Sequence, residues 1–493
     1  MLSSILDGKP DGAAAVVVPD GPAVTYGELR SSVDRAAGLL AGAGLEPERP
    51  VAIALGNGLE FLIAFLAVTR AGAVAAPLNP AYTADEFAYY VGDAESQIAV
   101  VPPGSHPARE AADSLDVPTF EVSLAGGELA IHRAGVPLSA AVDPPPPAAE
   151  STALFLHTSG TTSRPKGVPL SHGNIVESVR NISATYGLTG DDVAMVVMPL
   201  FHVHGLIGVA LSTLATGGAI VLPPRFSAGA FWPVRQATGA TWYSAVPTIH
   251  KILLDRADAD GAPAQSFRFI RSCSAPLSSG LMEGLESRFG APVVEAYGMT
   301  EASHQMSSNP LPPGRRRPGS VGMGTGVQVS VRDDAGDEVR AGCRGEVCVR
   351  GPNVMGGYVN NPEANATAFW DGWFRTGDQG TLSEDGYLTL TGRLKELINR
   401  GGEKISPVEV DEALLSHPAV AEAVCFGAPD SKYGESVRAA VVLVSETTAE
   451  EVKAHCAGRL AAFKVPETVY VVEDIPRTST GKIQRRHVAA KFL

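Results

Sequence analysis

The chain has 493 residues, 45% hydrophobic and 19% charged, an ordinary globular composition with room for about three domains. Its 39 basic residues against 53 acidic ones give a formal net charge of −14, which excludes nucleic acid and anionic lipid as primary partners. No apolar run reaches the roughly 18 residues that span a bilayer. The opening MLSSILDGKPDG is not expected to be a secretory signal, and five cysteines without metal-site pairing fit a reduced, cytoplasmic protein.

In chain order, Thr25 and Glu28 fit a capping box, after which Leu29, Val33, Ala36 and Leu40 recur at helical spacing until Gly42 and Gly44. A buried strand is predicted over 51–55, an apolar helix over 59–70 and a strand over 73–77. Strands alternating with helices specify a parallel sheet. Four prolines at 144–147 make an extended spacer, read as a subdomain boundary, and strand–helix alternation resumes over 151–300. Short strands over 328–332, 345–350 and 387–390, separated by Asp-Gly and Gly-Gly turns, predict a small barrel. Beyond Arg393 come an ordered link over 394–399, a helix over 408–415, strands over 419–427 and 437–444, and a helix over 449–460. Together they predict a compact α+β unit.

Five segments carry chemistry. LFLHTSGTTSRPKG at 154–167 runs a buried strand into hydroxyls, glycines and a lysine, donors suited to phosphate oxygens. It ends Pro165-Lys166-Gly167, not Gly-Lys-Ser/Thr, so the Walker pattern is excluded. EAYGMTE at 295–301 offers an aromatic for a flat base, a hydroxyl for phosphate and a carboxylate for Mg²⁺. WFRTGD at 373–378 places Asp378 after a tight turn, where a carboxylate can accept ribose hydroxyls. GRLKELINRGGEK at 392–404 and PRTSTGKIQRR at 476–486 complete the set; a lysine at a loop tip suits a phosphoryl transition state.

In this order the five segments resemble the adenylate-forming superfamily of acyl-CoA synthetases, aryl-CoA ligases, luciferases and peptide-synthetase adenylation domains. The resemblance covers nearly the whole chain. MTEASHQMSSNP at 299–310 and the stretch 395–407 look closest to the oxalate–CoA ligase and peroxisomal CoA-synthetase-like branch. The family implies an α/β N-terminal domain of two subdomains plus a small β-barrel over 1–393, a hinge at 394–395, and a mobile α+β domain over 396–493. It also implies a two-step reaction. A carboxylate attacks the α-phosphate of Mg·ATP to give acyl-adenylate and pyrophosphate, and the CoA thiol then displaces AMP.

Carried over by position, Thr158, Ser159, Gly160, Thr161, Thr162 and Lys166 would hold the outer phosphates, and Ser274, Ala275, Pro276, Glu295, Ala296 and Tyr297 would wall the adenine. Thr300 would touch the α-phosphate, Glu301 would ligate Mg²⁺, and Asp378 and Arg393 would bind ribose. Lys482 would bridge the attacking carboxylate and the α-phosphate. Rotation about Lys395 would then remove Lys482 and bring Gly401 and Gly402 to the CoA arm. The implied partners are a small-molecule carboxylate, ATP and CoA, acting on a monomer or homodimer.

For the acyl group, FHVHG at 201–205 places two imidazoles near the family's acyl pocket, where a fatty chain would want apolar walls. A short dicarboxylate, oxalate first, is therefore expected, with His202, Ser272 and His304 as donors; His202 is counted with Lys482, Thr300 and Glu301 as catalytic. His204 reads as a packing residue, Arg271 as a solvent-facing residue on a strand edge with the acyl pocket as its alternative, and Arg315 to Arg317 as a solvated loop with a place near the CoA phosphates as the lesser reading. The alternatives are a medium-chain or aryl acyl-CoA ligase, or an adenylation enzyme that loads a carrier protein.

Overall fold

The helix Leu59–Arg70 forms where its apolar run predicts, and every residue from Phe61 to Thr69 is buried, so it lies between layers. Phe61 and Phe65 are fully buried, each contributing about 1.5–3 kcal/mol. The helix Tyr26–Gly42 packs beside it and begins at the expected capping box, in which the Thr25 amide donates to the Glu28 carboxylate at 2.8 Å. The computed structural model describes residues 1–125, 127–158, 165–477 and 483–492.

Among the described residues the strands form sheets of nine, eight, five and five. In the eight-stranded sheet, Thr152–Thr158, Val74–Pro77, Pro50–Ile53, Ile98–Val101 and Thr119–Ala125 run parallel, with Lys166–Ser171 antiparallel beside Thr152–Thr158. In the nine-stranded sheet the parallel run is Val293–Met299, Phe269–Ser272, Trp242–Ala245, Val193–Met195, Ala219–Val221 and Ala14–Val17. Layers cover both faces of such strands, so Phe269–Ser272 is buried throughout. This corrects the expectation for Arg271: its strand lies between two others, and the side chain is fully buried.

The segment read as a small barrel forms a five-stranded antiparallel sheet in which Trp373–Leu382 pairs with Arg344–Arg350 on one side and Leu388–Arg393 on the other. After a short 3₁₀ turn, Leu394–Glu396, the remaining strands build a sheet of their own, beginning at Ile398 and flanked by the helices Pro407–Leu415 and Ala449–Ala457. This C-terminal unit has a separate core around Val410, Leu414, Val437 and Val441. It touches the larger body through Arg477, which donates to Thr248 Oγ1 at 2.9 Å, and through Ser406, which donates to the Thr391 carbonyl. The α/β class expected from the strand–helix alternation holds. No described helix is long and apolar enough to cross a membrane.

Candidate active site

Parallel strands bring residues distant in sequence to one edge, because their C-terminal ends lie side by side. Val293–Met299 delivers Glu295, Ala296 and Tyr297 and then a 3₁₀ turn, Thr300–Ala302, with Thr300 and Glu301. Its neighbour Phe269–Ser272 delivers Ser274, Ala275 and Pro276. The next strand, Trp242–Ala245, brings Ser244, with Thr248 in the helix that follows.

Tyr297 donates to Asp378, and Asp378 Oδ1 accepts from Arg393 Nε at 2.8 Å. Asp378 and Arg393 are cross-strand partners in the third sheet, so the pairing register fixes the ion pair. Asp378 is buried while the Arg393 side chain keeps 47% of its surface, leaving the guanidinium accessible. Glu295 is 5% exposed; its Oε1 accepts from the Leu277 amide at 3.0 Å and its Oε2 has no partner. Burial pushes its carboxyl up to about 8, with Glu412 of the C-terminal unit adding in the same direction.

Lys166 stands opposite Thr158 across the hairpin that holds the phosphate-type loop. Its ammonium lies 4.4 Å from the centre of the Tyr358 ring, and the Tyr358 hydroxyl donates to Glu301 Oε1 at 2.9 Å. Burial holds the Lys166 pKa below the usual lysine value, Lys395 lowers it further by like-charge repulsion, and Glu301 works the other way. A cation, a carboxylate and a second cation are therefore close enough to act on one another. Among the described residues no three or more His, Cys, Asp or Glu gather to hold a metal. These residues still fit Mg²⁺, which is commonly held by one or two carboxylates together with substrate phosphates, and Glu301 would supply such a carboxylate.

The third cluster is polar and deep. Arg271 donates from Nε to the Tyr186 hydroxyl at 2.9 Å, from Nη1 to Ser244 Oγ at 3.0 Å, and from Nη2 to His304 Nε2 and Gln305 Oε1, both at 2.9 Å. His204 Nε2 lies 2.7 Å from Ser244 Oγ and His204 Nδ1 lies 3.1 Å from Ser274 Oγ, while the His204 and His304 rings stack 5.2 Å apart. Among the described residues no acidic side chain forms an ion pair with Arg271. Backbone strain gathers here: Ser274, Ser303 and His304 have φ of 74°, 50° and 97°. Gly298 makes the tight turn possible, since a Cβ there would come within 1.9 Å of the His304 carbonyl.

His202 caps the short helix Val203–Gly205, its Nδ1 accepting from the His204 amide at 3.2 Å, and it is half-buried. Ser272 lies on the strand face opposite Arg271, beside Glu295, and its buried Oγ has no partner. Of the three expected donors, then, hydrogen bonds join His304 to the Arg271 cluster, and Ser272 stands apart. Gly401 and Gly402 form a two-residue hairpin turn with φ of 61° and 92°, a conformation that itself calls for glycine. Ser159, Gly160, Thr161, Thr162 and Lys482 lie outside the described residues. The segment 478–482 is flanked by Arg477 and Ile483, which pair in an antiparallel bridge.

Sequence reasoning ranked Arg271 as a strand-edge residue and His204 as a packing residue above their places in the acyl pocket, and it missed Ser244, Tyr186, Gln305 and Tyr358. The one available signal was the charge at Arg271 inside an otherwise buried strand. The Arg315–Arg317 loop is also more structured than expected, since Arg316 pairs with Glu286 at 2.8 Å and Arg317 pairs with Asp385.

Comparison with known proteins follows the same division. Residues 5–359 match the family described as AMP-binding enzyme, and residues 409–482 match the AMP-binding enzyme C-terminal domain. An oxalate–CoA ligase of Arabidopsis thaliana is 51% identical over 485 residues, covering 95% of this chain and 94% of the relative. One from Saccharomyces cerevisiae is 46% identical over 473 residues, covering 90% and 86%. ATP-bound MatB from Rhodopseudomonas palustris superposes with a TM-score of 0.89 at 32% identity, covering 100% of this chain and 98% of that one. Apo MatB over the same coverage gives 0.79.

Proposed function

We infer the substrate from a fixed premise: this chain belongs to the AMP-binding enzymes and is an ATP-dependent acid–CoA ligase. We propose that its acid is oxalate. The observation that carries this reading is Arg271, a buried guanidinium whose hydrogen-bond partners among the described residues are all neutral side chains. A buried charge is costly unless compensated, so a site built around one favours an anion nearby, and a fatty chain would leave it uncompensated. The two oxalate–CoA ligases that resemble this chain over most of its length support the same choice.

In the first half-reaction one oxalate oxygen attacks the α-phosphorus of ATP, the bond to the bridging oxygen breaks, and pyrophosphate leaves. We assign phosphate contacts to Lys166, Thr300 and the 158–162 loop, and ribose contacts to Asp378 and Arg393. Ser274, Ala275, Pro276, Glu295, Ala296 and Tyr297 wall the adenine. Glu301 would hold Mg²⁺, which neutralises phosphate charge when bound. We assign the second carboxylate of oxalate to His304 and Ser274, and His202 caps the short helix that carries His204. Lys482 bridges the attacking carboxylate and the phosphate. In the second half-reaction the CoA thiol attacks the acyl carbon, its proton leaves, and AMP is released. Lys395 is the hinge, and Gly401 and Gly402 face the CoA arm.

No covalent enzyme intermediate is required, so catalysis is positioning and charge neutralisation. The closer match to the ATP-bound than to the apo form of MatB supports reading this domain arrangement as the adenylating one. The acidic net charge and the five free cysteines support a cytoplasmic enzyme, acting as a monomer or homodimer. Pyrophosphate release across oxalate, malonate, hexanoate and cinnamate, with and without CoA, tests the assignment. Oxalate should give turnover that depends on CoA. Hexanoate turned over with oxalate inert would overturn it, and CoA-independent product release would favour carrier loading.

A further inference from the structure

Hydrogen-bond direction in the Arg271 cluster can be followed atom by atom. A guanidinium only donates. His304 Nε2, 2.9 Å from Arg271 Nη2, must therefore accept, so His304 is neutral and carries its ring hydrogen on Nδ1. Ser244 Oγ likewise accepts from Arg271 Nη1 at 3.0 Å, and Ser244 is fully buried. The other group bonded to Ser244 Oγ is His204 Nε2 at 2.7 Å, so the serine hydrogen goes there. Protonating His204 Nε2 instead would leave a buried hydroxyl hydrogen without an acceptor, at a cost of about 1–3 kcal/mol. His204 then carries its hydrogen on Nδ1 and donates to Ser274 Oγ at 3.1 Å. Ser274 accepts that bond and keeps its own hydrogen for a ligand.

We propose that Arg271 is a positioning residue whose donor-only guanidinium sets both His304 and His204 in the Nδ1–H tautomer, so that Ser274 is left to meet the acid substrate with its own Oγ–H donor. The order runs outward from the buried charge: Arg271 to His304 along one branch, and Arg271 to Ser244 to His204 to Ser274 along the other. An acid carboxylate accepts from such a donor; an ammonium group, which only donates, would face hydrogen against hydrogen. The selectivity part rests on the oxalate reading above. The tautomers do not, because they follow from the protein's own bonds. Neutral imidazole in water favours Nε2–H, so both residues are held against the solution preference.

The test is long-range ¹H–¹⁵N correlation on the ¹⁵N-histidine-labelled, substrate-free protein at neutral pH, with His304→Gln and His204→Gln used to assign the two rings. Both should show a protonated Nδ1 and a bare Nε2. Ser244→Ala should return His204 alone towards Nε2–H while His304 is unchanged. Arg271→Gln, whose amide can donate or accept, should release His304 as well and raise the KM for oxalate about 10- to 100-fold with the KM for ATP little changed. If Arg271→Gln fails to fold, the wild-type and Ser244→Ala spectra still decide. Nε2–H or an imidazolium at His304 in the wild type overturns the proposal even if oxalate is turned over. The expected tautomers with oxalate inert would leave the tautomer assignment standing and remove the substrate reading.

Discussion

At the scale of single residues, two side chains carry chemistry that no motif spelled out. Glu295 holds its proton up to about 8 when folded, against an ordinary value of 4.5, because burial disfavours the carboxylate. Between those values the native state binds more protons than the unfolded chain, so stability is lost as pH rises through the window. Glu295→Gln keeps an acceptor for the Leu277 amide and removes the titration. Its Tm relative to wild type should climb by a few degrees from pH 5 to pH 9, and a constant difference in scanning calorimetry would contradict the assignment. Tyr358 joins Lys166 to Glu301, and burial together with the Glu301 carboxylate pushes its phenol far above the ordinary range, so it stays a donor. Tyr358→Phe keeps the ring beneath Lys166 and loses the bond to Glu301. The Mg²⁺ concentration for half-maximal ATP binding should rise roughly tenfold, measured by titration calorimetry without acyl substrate. Tyr358→Leu should weaken ATP binding further by removing the ring as well.

At the scale of elements, the helix from Val203 to Leu214 contains a π-helical turn, Leu206–Leu211, a distortion common at functional sites. It presses Gly208 against His304 so closely that a Cβ would stand 2.5 Å from His304 Nε2. Gly208→Ala should push the ring off Arg271 and cut oxalate turnover on the order of 10²-fold while ATP affinity holds; unchanged kcat/KM for oxalate would show that the ring has room to move. The regular elements were largely legible. The helix over 59–70 came from a continuous apolar run, the one at 26 from its capping box, and the strand at 328–332 from alternation, all local signals. The burial of Arg271 was not legible, because whether a strand is central or at an edge depends on sheet order, which follows from segments far away. His204, Ser244 and Ser274 meet only because three parallel strands end together. Their roles come from that meeting and not from their neighbours in sequence.

At the scale of the whole molecule, the −14 charge excludes polyanions as partners yet permits anionic substrates, because Lys166, Lys395, Arg393 and Arg271 concentrate positive charge locally. The C-terminal unit is held against the body by Arg477 on Thr248, next to the segment that carries Lys482. If this is the adenylating arrangement, Lys482→Ala should slow oxalate-dependent ATP–pyrophosphate exchange by about 10²–10³-fold and leave thioester formation from pre-formed acyl-adenylate nearly intact. Equal damage to both half-reactions would contradict a moving domain. We propose that this ligase selects a small dicarboxylate through a buried, ordered set of donors. This selection is tested most directly by mass spectrometry of the CoA thioesters formed when oxalate, malonate and hexanoate compete at equal concentration with ATP, Mg²⁺ and CoA. Oxalyl-CoA should dominate, with AMP and pyrophosphate formed in equal amounts; hexanoyl-CoA as the main product would contradict the account.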